Sequence, residues 1–275
     1  GSGQLGDGTT ISTDTPEAVQ GGARFLQIRA GAYHTCGLTR ENQVLCWGAN
    51  TWGQLGTGDL TNRPTPTPVV GGGQWVAVSA GSEHTCALRK DGEAWCWGDA
   101  SLGRLGNGVY RGQTSVPTAV LGAHTYSSIS AGSLHTCGIA TDGAAWCWGQ
   151  NWYGQLGTYT TEVCGSVGIH CSTAPAQVEP WARRRWRTVA ASANPGYGGY
   201  TCGLIADGSV FCWGGGGHLG DGTSNQSTEP VAVTGALRFT SLSAGVSACG
   251  ITTDGVAWCW GGSFGTSPSR LPFQP

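Results

Sequence analysis

The sequence predicts an all-β fold, a β-propeller of five blades, and three observations carry that expectation. The chain resembles itself five times at a spacing of about 50 residues, and self-similarity at such a period marks solenoids and propellers. Inside each unit the apolar residues fall in short runs bounded by turn residues, which is the pattern of strands. No long window keeps the apolar stripe of an amphipathic helix. Four short strands per unit, repeated, compose propeller blades.

Taken in order, the chain opens in mid-repeat with Gly3-Gln4-Leu5-Gly6-Asp7-Gly8-Thr9-Thr10, a stretch that elsewhere follows a repeat core. Residues 1–29 are therefore expected to close the ring by giving the last blade its outer strand, which would remove exposed edges. A truncated larger propeller is the alternative. Five repeat cores follow at 30–50, 80–100, 131–151, 191–216 and 244–262, all within one domain spanning 1–275. Each runs Ala-Gly-x-x-His-Thr-Cys or a variant of it, an apolar pair, a polar turn and Cys-Trp-Gly. Lys90-Asp91-Gly92-Glu93, Thr141-Asp142-Gly143 and Thr253-Asp254-Gly255 are hairpin turns, because Asp-Gly tolerates the positive φ such turns need. After the first four cores come Gly53-Gln54-Leu55-Gly56, Gly103-Arg104-Leu105-Gly106, Gly154-Gln155-Leu156-Gly157 and Gly217-His218-Leu219-Gly220. A Thr/Pro-rich stretch then leads to the next strand.

These units resemble the repeats of the regulator of chromosome condensation family, in the Ala-Gly-x-x-His-Thr, hairpin, Trp-Gly-x-Asn and Gly-Gln-Leu-Gly elements quoted above. The resemblance covers essentially the whole chain and implies a closed propeller with loops exposed on two faces. The chain departs from the family in having five full copies where seven blades are usual, in adding a Cys pair to every hairpin, and in lacking a basic DNA-binding tail.

The cysteines bear on the compartment. In every copy two stand ten residues apart: Cys36/Cys46, Cys86/Cys96, Cys137/Cys147, Cys202/Cys212 and Cys249/Cys259. Centred on a hairpin turn, that spacing sets them opposite each other on adjacent strands, within reach of a disulfide. Cys164 and Cys171 are the remaining pair and leave no odd thiol. Buried free thiols and metal binding are the competing readings. The pairs lack the short knuckle spacing of structural zinc sites. Disulfides do not persist in a reducing cytosol, so the expectation is a secreted or cell-surface protein.

Composition excludes several classes. Fourteen basic and sixteen acidic residues give a net charge of −2, with no footprint for nucleic acid. No apolar run is long enough to insert in a membrane as a helix. Gly215–Gly220 fits a dinucleotide-binding fingerprint on paper but lacks the following helix and occupies a repeat position. Gly261–Gly265 fits a nucleophile elbow, yet no His follows it. Neither is expected to act, so no catalytic residue, no metal and no cofactor is assigned. His34, His84 and His135 share one repeat position, where Tyr200 and Ser247 stand in later copies. A metal-binding ring is one reading; a polar residue bonding the neighbouring blade is the other, and the Tyr and Ser replacements favour the second.

Function should reside where the template is broken. Candidate contact residues are Trp181, Arg183, Arg184 and Arg185 in the one dense basic stretch, and Trp52, Trp152 and Tyr153 after Cys-Trp-Gly. Asn225-Gln226-Ser227 is an N-glycosylation sequon, and Thr65 and Thr67 lie in a Thr/Pro run of O-glycosylated type. The leading expectation is a non-enzymatic extracellular scaffold that binds proteins through its loops. The alternatives are a structural subunit of an extracellular fibre or surface assembly, associating with copies of itself, and a lectin that binds glycans.

Overall fold

A computed structural model describes residues 1–165, 168–179, 182, 184–193 and 199–271. It is a five-bladed β-propeller with almost no helix. The first blade holds β1 (Phe25–Ala30), β2 (His34–Thr39), β3 (Val44–Gly48) and β4 (Arg63–Pro68), and the second β5 (Trp75–Ala80), β6 (His84–Arg89), β7 (Ala94–Asp99) and β8 (Gln113–Ala119). The third holds β9 (Tyr126–Ala131), β10 (His135–Ala140) and β11 (Ala145–Gln150); β12 (Val163–Cys164) extends its outer strand β13 (Ile169–Gln177). The fourth is β14 (Trp186–Ala191), β15 (Tyr200–Ile205), β16 (Val210–Gly214) and β17 (Ser227–Ala232). The fifth is β18 (Phe239–Ala244), β19 (Ala248–Thr252), β20 (Ala257–Trp260) and β21 (Ser269–Arg270).

Each blade is an antiparallel meander, so its connections divide between two faces. The links from first to second strand and from third to fourth strand emerge together, on what we term the loop face. The middle hairpins and the blade-to-blade connections emerge on the opposite, hairpin face.

The middle hairpins pair as their sequence spacing requires. Cys36 faces Cys46, Cys86 faces Cys96, Cys137 faces Cys147, Cys202 faces Cys212 and Cys249 faces Cys259. Each of these five pairs is joined as a disulfide, with Cα separations of 4.0–4.1 Å. Cys164–Cys171 is the sixth disulfide, at 5.9 Å, so all twelve cysteines are bonded and none is a free thiol or a metal ligand. The cysteines of the first four hairpin pairs are all fully buried, because each pair packs with the aromatic residues of the following blade. The glycine of Cys-Trp-Gly is required by position. Gly98 has φ +106°, and a Cβ there would sit 2.5 Å from the Glu83 carbonyl oxygen.

The hydrophobic core lies between blades, in four clusters. In the first, Cys36, Leu38, Val44 and Cys46 of one blade pack on Trp75, Val78, Ala87 and Trp97 of the next. The second, third and fourth clusters repeat this arrangement, each joining one blade's disulfide and apolar pair to the next blade's aromatic residues. Thus Cys137 and Cys147 pack with Trp186 and Trp213, and Cys202 and Cys212 with Phe239 and Trp260. A blade is stable through its neighbours rather than through a core of its own, as repeat proteins are.

The expected role of residues 1–29 requires correction. The outer strand of the fifth blade is Ser269–Arg270, from the same end of the chain. The N-terminal segment instead lies on the first blade, where the Gln4 carbonyl accepts bonds from Thr35 Oγ1 (3.1 Å) and Trp47 Nε1 (2.8 Å). The reason is that Gly3-Gln4-Leu5-Gly6 is the piece of the repeat that caps the following blade, and the blade that follows it is the first. Among the described residues no strand pairing or hydrogen bond joins the fifth blade to the first.

Candidate interaction face

The blade joints hold most of the molecule's buried polar groups. In the first three, a histidine of one blade meets a threonine of the next: His34 Nε2 to Thr85 Oγ1, His84 to Thr136 and His135 to Thr201, each at 2.8 Å. Each threonine hydroxyl donates in turn to a loop carbonyl, that of Gln54, Arg104 or Gln155, at 2.8–2.9 Å. Because that proton is committed to the carbonyl, the imidazole must donate from Nε2. Nδ1 of each ring is buried without a partner, so a second proton there would have no acceptor and the ring is neutral. The indole N–H of the next blade's Trp97, Trp148 or Trp213 shares the same carbonyl.

Burial agrees with that assignment. It lowers the pKa of His34 to about 4 and of His135 to about 3. His84 lies well below its ordinary value through burial, with the Arg104 charge adding to it. The three imidazoles sit in separate joints and form no shared metal site. The one close group of metal-type side chains among the described residues is Glu162 with Cys164 and Cys171. Those two sulfurs are already spent in a disulfide.

The last joint departs from the pattern. Tyr200 replaces the histidine, and its hydroxyl donates to the Gly245 carbonyl at 3.2 Å. Ala248 replaces the threonine, and Trp260 Nε1 is buried without a partner. His218, at the glutamine position, stacks on Tyr200 with ring centroids 5.2 Å apart. In the second joint Arg104 occupies the glutamine position, buried against Asp99 (3.0 Å) and bonding the Ser101 carbonyl through Nε.

With the polar groups so engaged, the two faces differ in what they offer solvent. The loop face exposes Tyr33, Trp52, Tyr110, Trp152, Tyr159 and Val246, with Tyr159 75% and Trp152 52% accessible. Among the described residues, the connections of the hairpin face expose one large apolar side chain, Leu121. That face carries charge instead, with Arg40, Glu41, Lys90, Asp91, Asp142, Asp207 and Asp254 exposed in its turns. The turns bearing the loop-face aromatics are pinned from beneath. Gln54 Oε1 accepts the backbone N–H of Trp52, and Gln155 Oε1 that of Tyr153, both at 2.9 Å.

The residues singled out from sequence fall on both faces. Trp52, Trp152 and the half-buried Tyr153 share the loop face. Of the basic stretch, Arg184 and Arg185 lie on the hairpin face, between the third and fourth blades. Trp181 and Arg183 lie outside the described residues. Arg184 is paired with Glu179 and stacked over Phe211 at 4.1 Å, which binds it within the chain. Arg185 is exposed. Asn225 is exposed on the loop face, while Thr65 and Thr67 sit half-buried in β4. Tyr33, Tyr110 and Tyr159 were not anticipated. Their signal was positional, since all three stand in connections that open on the same face.

This architecture defines a class: a β-propeller repeat protein whose polar framework is internal and whose loops present apolar rings. The chain belongs to the family described as the Regulator of chromosome condensation (RCC1) repeat, whose pattern matches residues 1–38, 41–88, 91–139 and 142–194. A second pattern of the same description matches 25–54, 75–104 and 126–155. Comparison with curated proteins gives no match. Among solved structures, human WBSCR16 is similar at 22% identity and TM-score 0.78, over 96% of this chain and 70% of that one. Yeast RCC1 (Prp20), solved with Kap60 bound, matches at 21% identity and TM-score 0.74, over 92% of this chain and 62% of that one. The ectodomain of the Arabidopsis thaliana receptor kinase ACR4 matches at 24% and TM-score 0.56, over 96% and 72%. At these identities the likeness is one of fold.

Proposed function

We propose that this protein is a non-enzymatic extracellular binding module that holds a protein partner on its loop face. The observation that carries the reading is the asymmetry of the two faces. Exposed aromatic side chains on rigid turns are typical interface anchors, and here they gather on one side of the propeller. The buried histidines support the absence of catalysis, because each is neutral and committed to a joint. Six disulfides suit an oxidising compartment, and the sequon at Asn225 would carry a glycan there. Yeast RCC1, which shares the fold, is described as binding Kap60, Gsp1p and histones.

The test uses unreduced protein from an oxidising host, against partners captured by the wild type. Trp52→Ala with Trp152→Ala should weaken a true partner at least tenfold, while Glu41→Ala with Lys90→Ala on the hairpin face should leave it unchanged. Equal binding by both variants, at unchanged thermal stability, overturns the loop-face assignment.

A further inference from the structure

In the third and fourth blades, the connection that enters the blade lays a side chain over the aromatic residue just before the blade's second cysteine. His124 stacks on Trp146 with ring centroids 3.9 Å apart, and the Arg184 guanidinium lies 4.1 Å from the Phe211 ring centre. Both side chains stand two residues before the blade's first aromatic, Tyr126 or Trp186. The second blade departs from this arrangement. Its connection runs Gly71-Gly72-Gly73-Gln74, and a Cβ on Gly73 would meet the Trp75 indole at 2.8 Å. A guanidinium still covers the aromatic, but it comes from Arg89 at the end of β6. Its centre lies 4.0 Å from the Trp95 ring centre and 5.3 Å from that of Trp75.

The two stacked guanidiniums differ in their counter-charge. Arg184 is paired with Glu179, whose backbone N–H bonds the Gly157 carbonyl. Val70 makes the equivalent bond to the Gly56 carbonyl, so it holds the place of Glu179, and the three glycines after it bring no side chain. Among the described residues Arg89 therefore joins no salt bridge, and its Nε is buried without a partner. The acids of the neighbouring turn are engaged elsewhere. Asp91 Oδ1 accepts the Glu93 N–H at 3.0 Å, and Glu93 Oε2 accepts the Trp95 indole N–H at 3.3 Å. Beside Arg89 lies a cavity of about 440 Å³ lined by Gly72, Gly73, Gln74, Arg89, Lys90 and Asp91. A guanidinium held on indole rings is already ordered, and its planar fork of donors suits a carboxylate that accepts two N–H bonds at once.

We propose that this cavity is a carboxylate-binding site, in which an acidic side chain of a peptide, or a small free acid, takes at Arg89 the place that Glu179 takes at Arg184. Lys90 supplies a second positive charge at the rim, against the single negative charge of Asp91. The site lies between the first and second blades on the hairpin face. It is separate from the aromatic loop face and does not depend on a partner held there.

The experiment is nuclear magnetic resonance of unreduced, isotope-labelled protein, following the arginine Nε–H and tryptophan indole N–H signals at constant ionic strength. The probes are acetate and the blocked tripeptide acetyl-Gly-Glu-Gly-amide, each set against an uncharged counterpart, acetamide and the Gln tripeptide. The Arg89 signal should shift saturably with both acids, and the uncharged counterparts should bind at least about tenfold more weakly, since they cannot form the charge-assisted pair. Arg184, already paired, should not move. The accompanying shift of the Trp95 indole should vanish in Arg89→Gln and weaken in Lys90→Gln. Tighter binding of the Glu tripeptide than of acetate identifies a peptide segment as the occupant, and equal binding a free acid; either upholds the site. An Arg89 signal that stays still, that responds equally to the uncharged probes, or that moves only in step with every exposed arginine overturns the proposal. Those three readings are made on the wild type, so none requires a variant to fold.

Discussion

The second joint and the fourth are built on one template and kept together by different means. Between the second and third blades, His84, Thr136, the Arg104 carbonyl and Trp148 form a chain of donors and acceptors beside the Cys86–Cys96 disulfide. Between the fourth and fifth, beside the Cys202–Cys212 disulfide, the same space holds Tyr200, Ala248, His218 and Trp260, with an indole N–H left unpaired. Both joints bury their aromatic residues completely. The comparison teaches that apolar packing suffices to dock one blade on another, while the polar chain fixes a single arrangement. Buried polar groups cost stability unless satisfied, and the fourth joint avoids part of that cost by having fewer of them.

The largest difference should appear on truncating the apolar residue under the next blade. Leu88→Ala, at a fully covered position, should cost about 2–5 kcal/mol in chemical denaturation. Ile251→Ala, at the exposed equivalent in the fifth blade, should cost about 1 kcal/mol or less, since little burial is lost. Similar losses at the two positions would mean that the fifth blade is covered in solution. Removing a disulfide ranks next. Cys86→Ala with Cys96→Ala should cost about 3 kcal/mol through loop entropy, plus the void left in the joint. At Cys249 and Cys259 the void should be smaller, since Cys249 is only half-buried while Cys259 is buried. Under a mild reductant, differential alkylation should find Cys249–Cys259 opened before the other hairpin pairs.

Acid should act on the first three joints through their fully buried imidazoles, and on the fourth through His218, whose pKa burial also lowers. His34 titrates at 6.5 when unfolded and at about 4 when folded, so the unfolded chain binds the extra proton between those values. Stability is complete above pH 6.5 and falls as the pH drops toward 4, by up to roughly 3 kcal/mol for this residue. His135, at about 3, extends the loss further down. Replacing His34 by Gln should flatten the pH dependence of the melting temperature by that share. Equal slopes in the variant and the wild type would show that the ring is charged in the folded protein. Thr136→Val should cost about 1–3 kcal/mol, because the Arg104 carbonyl keeps Trp148 and only the His84 N–H is orphaned.

Much of this was legible in the residues because repetition turns local rules into a pattern. Ten residues centred on an Asp-Gly turn place two cysteines opposite each other whatever surrounds them, and the pairing follows. The replacement of His34, His84 and His135 by Tyr200 and Ser247 pointed to a neighbour's hydrogen bond rather than a metal, and Thr85, Thr136 and Thr201 are those neighbours. The role of residues 1–29 was misjudged because Gly3–Gly6 has the sequence of a loop that serves the following blade, and sequence order does not say which blade a terminal loop will touch. Arg184 looked available to a partner because spacing alone does not show that Glu179, five residues earlier, and Phe211, on the third strand of the fourth blade, both close on it.

The sequence by itself determined the blade count, the hairpin register, the disulfides and the family, since each rests on spacing along one strand pair or one repeat. Only the tertiary structure decided which side chains are exposed. It separated an aromatic loop face from a charged hairpin face, bound Arg184 within the chain, and left Ile251 exposed. Exposure depends on how the neighbouring blade packs, and the same template residue is buried in four blades and exposed in the fifth.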